Sequence, residues 1–76
     1  MLYINLGKKI REERIEKGYT QEQLAAKLNV SRQTIYKWEA NIAIPRADHV
    51  MQIVQLFKIS YDELFTGEAP VEKEVD

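Results

Sequence analysis

The 76-residue sequence predicts an all-α fold, a compact bundle of five short helices. Apolar residues recur at helical spacing in several segments, and no useful length of chain alternates apolar and polar residues as a strand does. Glycine and proline are sparse, with three and two copies, and most of them separate the periodic segments. A chain of this length forms one small domain, which buries only about 60% of its unfolded surface.

The first helix is predicted from near Leu6 to Gly18, with Leu6 and Ile10 on one apolar stripe. Gly7 near its start weakens it slightly. The second helix begins after Thr20, an N-cap residue, and Gln23 three residues later completes a capping box. Its apolar arc consists of Leu24, Ala25 and Leu28.

A sharp turn is predicted at Asn29, because asparagine tolerates the left-handed conformation that joins two helices at a steep angle. Ser31 caps a third helix over residues 31–40. Residues 42–45 form a loop, and Pro45 leads into a fourth helix. The apolar positions of that helix are Val50, Ile53, Val54 and Phe57.

The fifth helix starts at a second capping-box pattern, from Ser60 to Glu63, and ends near Gly67. Leu64 and Phe65 are available to close the core. Residues 67–76 are acidic, contain a proline and lack periodicity, so they are expected to form a disordered tail. The predicted domain therefore occupies residues 1–66.

Charge is distributed unevenly along the chain. The net charge is −1, but residues 68–76 carry four acidic residues and one lysine, a net charge of −3. Residues 1–67 hold 10 basic and eight acidic residues, a net charge of +2. From Lys27 to Arg46 four basic residues face one glutamate, a net charge of +3. A mild positive potential is thus expected around the third helix.

Several function classes are disfavoured by composition. The chain lacks cysteine, which excludes disulfides and thiolate metal sites. No secretory signal or apolar run of about 20 residues occurs, so we expect a cytoplasmic protein without a membrane partner. The serines and threonines occupy cap positions, no glycine-rich phosphate loop occurs, and His49 is a lone histidine expected on the surface near a helix start. We therefore predict no enzyme activity, metal, cofactor or small-molecule substrate.

The third helix has two different faces. At 100° per residue, Ile35 and Trp38 fall on a packing side together with Thr34 and Glu39. The other side, within an arc of about 140°, carries polar residues and a tyrosine. These are Arg32, Gln33, Tyr36 and Lys37. A polar helix face is usually only solvated. The preceding helix and the tight turn favour a different interpretation, because this arrangement presents a helix to the DNA major groove.

The chain resembles the Cro and cI repressor-type helix-turn-helix domain, also called the XRE family, from Leu6 to Phe65. The matching features are Gly18-Tyr19-Thr20-Gln21, Leu24-Ala25, Asn29-Val30-Ser31, Ile35, Trp38-Glu39, Pro45 and Asp62-Glu63-Leu64. The resemblance implies a lambda-repressor-like five-helix bundle that binds operator DNA, usually as a dimer. Two positions depart from the family pattern: Asn41 stands where glycine is common, and Glu13 where leucine is frequent.

The resemblance also implies roles for individual residues. Base edges would be read by Arg32, Gln33, Tyr36 and Lys37, and arginine and glutamine suit guanine and adenine respectively. DNA phosphates would be contacted by Gln21, Ser31, Asn41 and Arg46. Arg14 and Glu39 border the packing stripes of the first and third helices, and we predict that they form an ion pair between these helices. Trp38 is expected in the core or at a subunit contact, and Tyr19 in the core.

The function implied is sequence-specific transcription regulation, with repression by occlusion of polymerase. The alternatives are an antitoxin-type or other protein-interaction module, or the DNA-binding part of a longer regulator. One recognition helix reads few base pairs, so a homodimer spanning two half-sites about 34 Å apart is expected. The candidate surface for this dimer lies on the fourth and fifth helices, where the apolar residues expected to be exposed are Met51, Leu56, Ile59 and Phe65.

Overall fold

The computed structural model describes residues 6–66, which form five α-helices and no strand. The helices are α1 (Leu6–Glu16), α2 (Gln21–Leu28), α3 (Arg32–Glu39), α4 (Ala47–Phe57) and α5 (Tyr61–Thr66). The all-α, five-helix fold predicted from the sequence is confirmed. The predicted disordered tail lies outside the described residues.

All five helices contribute to one hydrophobic core. Its largest fully buried side chains are Ile10 of α1, Leu24 of α2, Ile35 of α3, Ile53 and Phe57 of α4, and Leu64 of α5. Tyr19 packs against this core from the loop between α1 and α2, with its ring centroid 6.5 Å from that of Phe57. The core positions follow the helical spacing of the sequence, since every helix turns its apolar stripe inward.

The first four helices end in the same kind of left-handed turn. Gly18, Asn29, Asn41 and Lys58 have φ values between 59° and 85°. In each case the next residue's N–H bonds a carbonyl five residues earlier, as from Val30 to Ala25 at 3.0 Å. This arrangement satisfies the free carbonyls of the last helical turn. At position 41 this conformation is taken by an asparagine, a residue that tolerates it better than most, although glycine adopts it at less cost.

Side-chain caps fix the beginnings of three helices. Thr20 and Gln23 form the predicted capping box at α2, with bonds of 3.0 and 2.9 Å. The Ser60 hydroxyl accepts a bond of 2.9 Å from the Glu63 N–H at α5. Ser31 caps α3 in the same way, with a bond of 3.1 Å. The helix boundaries thus follow the cap residues of the sequence.

The start of α1 approaches the end of α3 closely at Gly7. A β-carbon at Gly7 would overlap the carbonyl oxygen of Trp38 and would lie 2.7 Å from Oδ1 of Asn41. The Gly7 N–H donates to that same Asn41 oxygen at 3.1 Å. Gly7 therefore weakens the helix locally but permits a contact that a larger residue would block.

A cluster of four charged residues, of which Glu13 alone is buried, joins α1 to α5: Lys9, Glu13, Lys17 and Glu63. It is here named the α1–α5 cluster. Glu13 lies 3.1 Å from the Lys9 ammonium and 2.8 Å from the Lys17 ammonium. Burial alone would raise the pKa of Glu13, but hydrogen bonds from Lys17 and Lys9 outweigh it and hold that pKa below its usual value. Burial likewise opposes the charge on Lys9, yet the carboxylates of Glu13 and Glu63 raise the Lys9 pKa. This pairing offsets the cost of burying a carboxylate at position 13.

Candidate nucleic-acid interface

The turn between α2 and α3 fixes how α3 is presented. Asn29 adopts φ 59° and ψ 44°, and its N–H and that of Val30 bond back to carbonyls of α2. Ser31 is extended, and its side chain caps α3. Only three residues separate the two helices, so the turn leaves α3 little freedom to move relative to α2.

The third helix separates an anchoring face from an exposed face, as its sequence predicts. Ile35 and Trp38 are buried in the core. The exposed side carries Arg32, Gln33, Tyr36 and Lys37, all open to solvent. The exposed face of α3 therefore carries a guanidinium, an ammonium, an amide and a phenol. Its opposite face is packed into the core, which holds the helix in place.

The predicted ion pair between Arg14 and Glu39 is confirmed. Arg14 Nε lies 2.6 Å from one carboxylate oxygen of Glu39, and its Nη2 lies 3.2 Å from the other. The side chains are only 11% and 4% exposed, so water screens the pair weakly. Arg14 also donates to the Tyr19 carbonyl at 2.8 Å, and Gln21 donates to Glu39 at 3.0 Å. One carboxylate thus ties α1, the start of α2 and the end of α3 together.

The structure gives Gln21 and Asn41 contacts within the protein that the sequence does not indicate. The side-chain amide nitrogen of Gln21 donates a hydrogen bond to the Glu39 carboxylate, and the side-chain oxygen of Asn41 accepts one from the Gly7 N–H. A side-chain amide carries two N–H donors, so each residue keeps donor capacity beyond these bonds. Both side chains are thereby held in place beside the ends of the two helices of the motif.

Ser31 and Arg46 are exposed, at the start of α3 and at the start of α4. The Ser31 hydroxyl accepts from the Thr34 N–H and lies 2.9 Å from the Thr34 hydroxyl. Arg46 lies 3.6 Å from Asp48 in a solvent-exposed ion pair. Such a pair is weak, and it leaves the guanidinium free to exchange its partner.

The match to known families agrees with this geometry. A protein-family sequence model, described as helix-turn-helix, matches residues 10–64, which include α2, the turn and α3. The chain belongs to the Cro/cI-type helix-turn-helix family. The family recognised from the sequence is confirmed.

Two curated relatives are helix-turn-helix proteins. The chain is 38% identical over 65 residues to the HTH-type transcriptional activator BcrR of Enterococcus faecalis, covering 86% of this chain and 32% of that protein. It is 33% identical over 61 residues to the HTH-type transcriptional regulator ImmR of Bacillus subtilis, covering 80% of this chain and 48% of that protein. The chain thus spans about a third and about a half of the length of these relatives.

His49 of the helix-turn-helix domain is less exposed than predicted. It lies near the start of α4, as expected, but its ring centroid is 5.2 Å from that of Trp38 and its side chain is 21% exposed. Within residues 6–66 no group of three or more histidine, aspartate and glutamate side chains is placed to hold a metal. His49 therefore covers the tryptophan that anchors α3, a contact for which the sequence has no local signal.

The exposed apolar surface along α4 and α5 consists of different residues from those that the sequence predicts. The prediction that Leu56, Ile59 and Phe65 are exposed is wrong: all three are half-buried, because they pack against the core. On this side of the domain the exposed large apolar side chains are Ile44, Met51 and Tyr61, at 67%, 49% and 48%. They border an open groove that Pro45, Ala47, Val50 and Phe65 complete, here named the α4–α5 patch. Sequence reasoning missed Ile44 and Tyr61, although an isoleucine in a loop is a usable signal.

No helix within residues 6–66 has the length and apolar character that crossing a bilayer requires; the longest have 11 residues.

Proposed function

We propose that this domain binds duplex DNA sequence-specifically and regulates transcription, with α3 in the major groove. The observation that carries the proposal is the exposed, donor-rich face of α3 on a helix anchored by buried Ile35 and Trp38. Membership of the helix-turn-helix family and the names of the two regulator relatives support it.

The exposed side chains of α3 have the chemistry for direct readout of bases. Arg32, in the first turn, can donate two bonds to guanine O6 and N7, and Gln33 can pair with adenine N6 and N7. Lys37, one turn later, donates to guanine or phosphate. The half-exposed ring of Tyr36 can contact a thymine methyl group. Each good bidentate contact discriminates against a wrong base by about 1–3 kcal/mol.

Four further residues are proposed to contact DNA phosphates and fix the register: Gln21, Ser31, Asn41 and Arg46. Gln21 has a second amide hydrogen beyond the one that it donates to Glu39, and Asn41 has both of its amide hydrogens to donate, because it is its side-chain oxygen that accepts from Gly7. Their internal bonds reduce the side-chain entropy lost on binding, because both side chains are already ordered. Phosphate contacts of this kind position a protein without reading sequence.

We further propose that two copies pair through the α4–α5 patch. Ile44, Met51 and Tyr61 leave a continuous apolar surface exposed on a small domain. A dimer would read two half-sites about 34 Å apart and so gain the specificity that one helix lacks.

Repression by occlusion is the proposed output, because occupying a promoter requires no surface beyond the DNA contacts. The E. faecalis relative is named an activator, so a reporter assay with the operator overlapping the promoter, and then upstream of it, separates the two outputs. The relatives are longer proteins, which favours the same DNA-binding role within a longer regulator as a second candidate.

The experiment is selection on random duplexes, followed by fluorescence anisotropy on the selected duplex and a scrambled one. Lys37→Gln should weaken operator binding by about tenfold or more, since it removes a charge from the proposed interface. Lys58→Gln is the matched control: it makes the same change at an exposed residue of the α4–α5 turn. Arg32→Ala should also relax the base preference at one position.

Equal affinity for the selected and scrambled duplexes would contradict sequence-specific binding and favour a protein-interaction module. Met51→Glu tests the dimer by sedimentation equilibrium, with Gln52→Glu as control on the same helix. Loss of dimer in both variants, or in neither, would argue against the α4–α5 patch.

A further inference from the structure

Lys9 is the bridge of the α1–α5 cluster. Its ammonium lies 3.1 Å from Glu13 of its own helix and 3.6 Å from Glu63 of α5. The Lys9 side chain is 13% exposed and that of Glu63 is 22% exposed, so solvent screens this bridge less than a surface pair. Lys9 thus connects α5 directly to the body of the domain.

The fifth helix depends on such tertiary contacts. It has six residues, too few for a helix to persist alone in water. Leu64 inserts fully into the core and Ser60 caps the helix start. Phe65 also packs against the core. The ion pair between Lys9 and Glu63, at 3.6 Å, adds an attachment on the side of α5 that faces α1, and so contributes to fixing the rotation of this helix.

That rotation determines where Tyr61 lies. At 100° per residue, positions two apart in a helix point about 200° away from each other. Glu63 faces α1, so Tyr61 is directed to the other side of α5, where it borders the α4–α5 patch. We propose that Lys9 is a positioning residue, which holds Glu63 against α1 and so sets Tyr61 for pairing with a second copy. This inference rests on the proposed dimer.

The cluster allows a clean test, because Glu13 has two lysine partners. Lys9→Met removes the bridge but leaves Lys17 at 2.8 Å from Glu13, so no buried carboxylate loses every partner. The methionine retains similar length and apolar contact. Lys8→Met is the matched control, since Lys8 is the exposed neighbour on the same helix.

Amide hydrogen exchange reports on α5 separately from the rest of the domain. The Leu64 N–H bonds the Ser60 carbonyl at 3.1 Å, and the Leu24 N–H of α2 bonds Thr20 at 2.9 Å. In Lys9→Met we expect exchange at Leu64 to accelerate about tenfold through local opening, with Leu24 little changed. The dimer dissociation constant, measured by sedimentation equilibrium, should rise by about tenfold in the same variant.

Lys9→Arg should restore both readouts, because it keeps the charge. Unchanged exchange at Leu64, or equal acceleration at Leu64 and Leu24, would overturn the positioning role. An unchanged dissociation constant with faster Leu64 exchange would overturn the link between α5 and pairing. A wild-type protein that stays monomeric would refute the proposed dimer and that link together, while Leu64 exchange would still decide whether Lys9 holds α5.

Discussion

Replacing Gly7 by alanine tests the close contact between α1 and α3. The new β-carbon would overlap the Trp38 carbonyl oxygen and lie 2.7 Å from Oδ1 of Asn41 and 2.8 Å from the Glu39 carbonyl oxygen. Two of these three atoms belong to the backbone, which cannot rotate away as a side chain can. The start of α1 must therefore move.

Opposing contributions decide the sign of the effect. In a helix interior, alanine is more favourable than glycine by about 1 kcal/mol, and the difference is smaller in the first turn. Overpacking costs about 1–3 kcal/mol, and losing the bond from the Gly7 N–H to Asn41 costs about 1 kcal/mol more. We expect Gly7→Ala to lower the free energy of unfolding by about 1–3 kcal/mol. For a domain of this size each kcal/mol lowers Tm by roughly 4–8 °C.

Urea unfolding, followed by circular dichroism and by the fluorescence of the single tryptophan, measures this change. Lys8→Ala is the control, because the same residue is introduced at the exposed neighbour and should change stability by at most about 0.5 kcal/mol. Adding Asn41→Gly should rescue Gly7→Ala only in part, since the backbone carbonyls remain. A Gly7→Ala protein as stable as the wild type would refute the close contact.

Two further predictions concern buried charge. Glu39→Gln should lower the free energy of unfolding, measured in urea, by about 3 kcal/mol, because it breaks the buried bidentate pair with Arg14. If the effects of Glu39→Gln and Arg14→Met simply add in a double-mutant cycle, the two side chains are not coupled. Because folding lowers the pKa of Glu13, this carboxylate takes up a proton at a higher pH in the unfolded chain than in the folded domain. Its stabilisation is therefore present above the unfolded pKa and is lost as pH falls through the lower folded pKa. Glu13→Leu should flatten the loss of stability as the pH falls below about 4.5, measured as urea midpoints, whereas an unchanged acid slope would contradict the lowered pKa.

The sequence predicts the helix boundaries well because short-range chemistry sets them. Thr20 and Ser31 bond N–H groups three residues ahead, so their effect requires no tertiary contact. Asn29 adopts the left-handed turn that its short polar side chain tolerates. The two faces of α3 follow from spacing alone. The Arg14–Glu39 pair was also predictable, since two opposite charges border apolar stripes.

Other features of the candidate site depend on how helices pack. Nothing local marks Asn41 as the acceptor for Gly7, or Gln21 as a partner of Glu39, because these contacts join residues 34 and 18 positions apart. The left-handed conformation of Lys58 was not predicted either, since lysine has no preference for it. The DNA contacts themselves stay predictions, as do the homodimer and repression.

The sequence alone determined the five helices, the buried and exposed faces of α3 and membership of the helix-turn-helix family, because periodicity and capping act within a few residues. Only the tertiary structure decided which apolar residues remain exposed and which polar side chains are already engaged. Leu56 looks as exposed as Met51 in sequence, but burial depends on which helix lies opposite. Likewise, the two lysines beside Glu13 are four residues away along the chain, whereas only tertiary packing brings Glu63 of α5 to within 3.6 Å of Lys9.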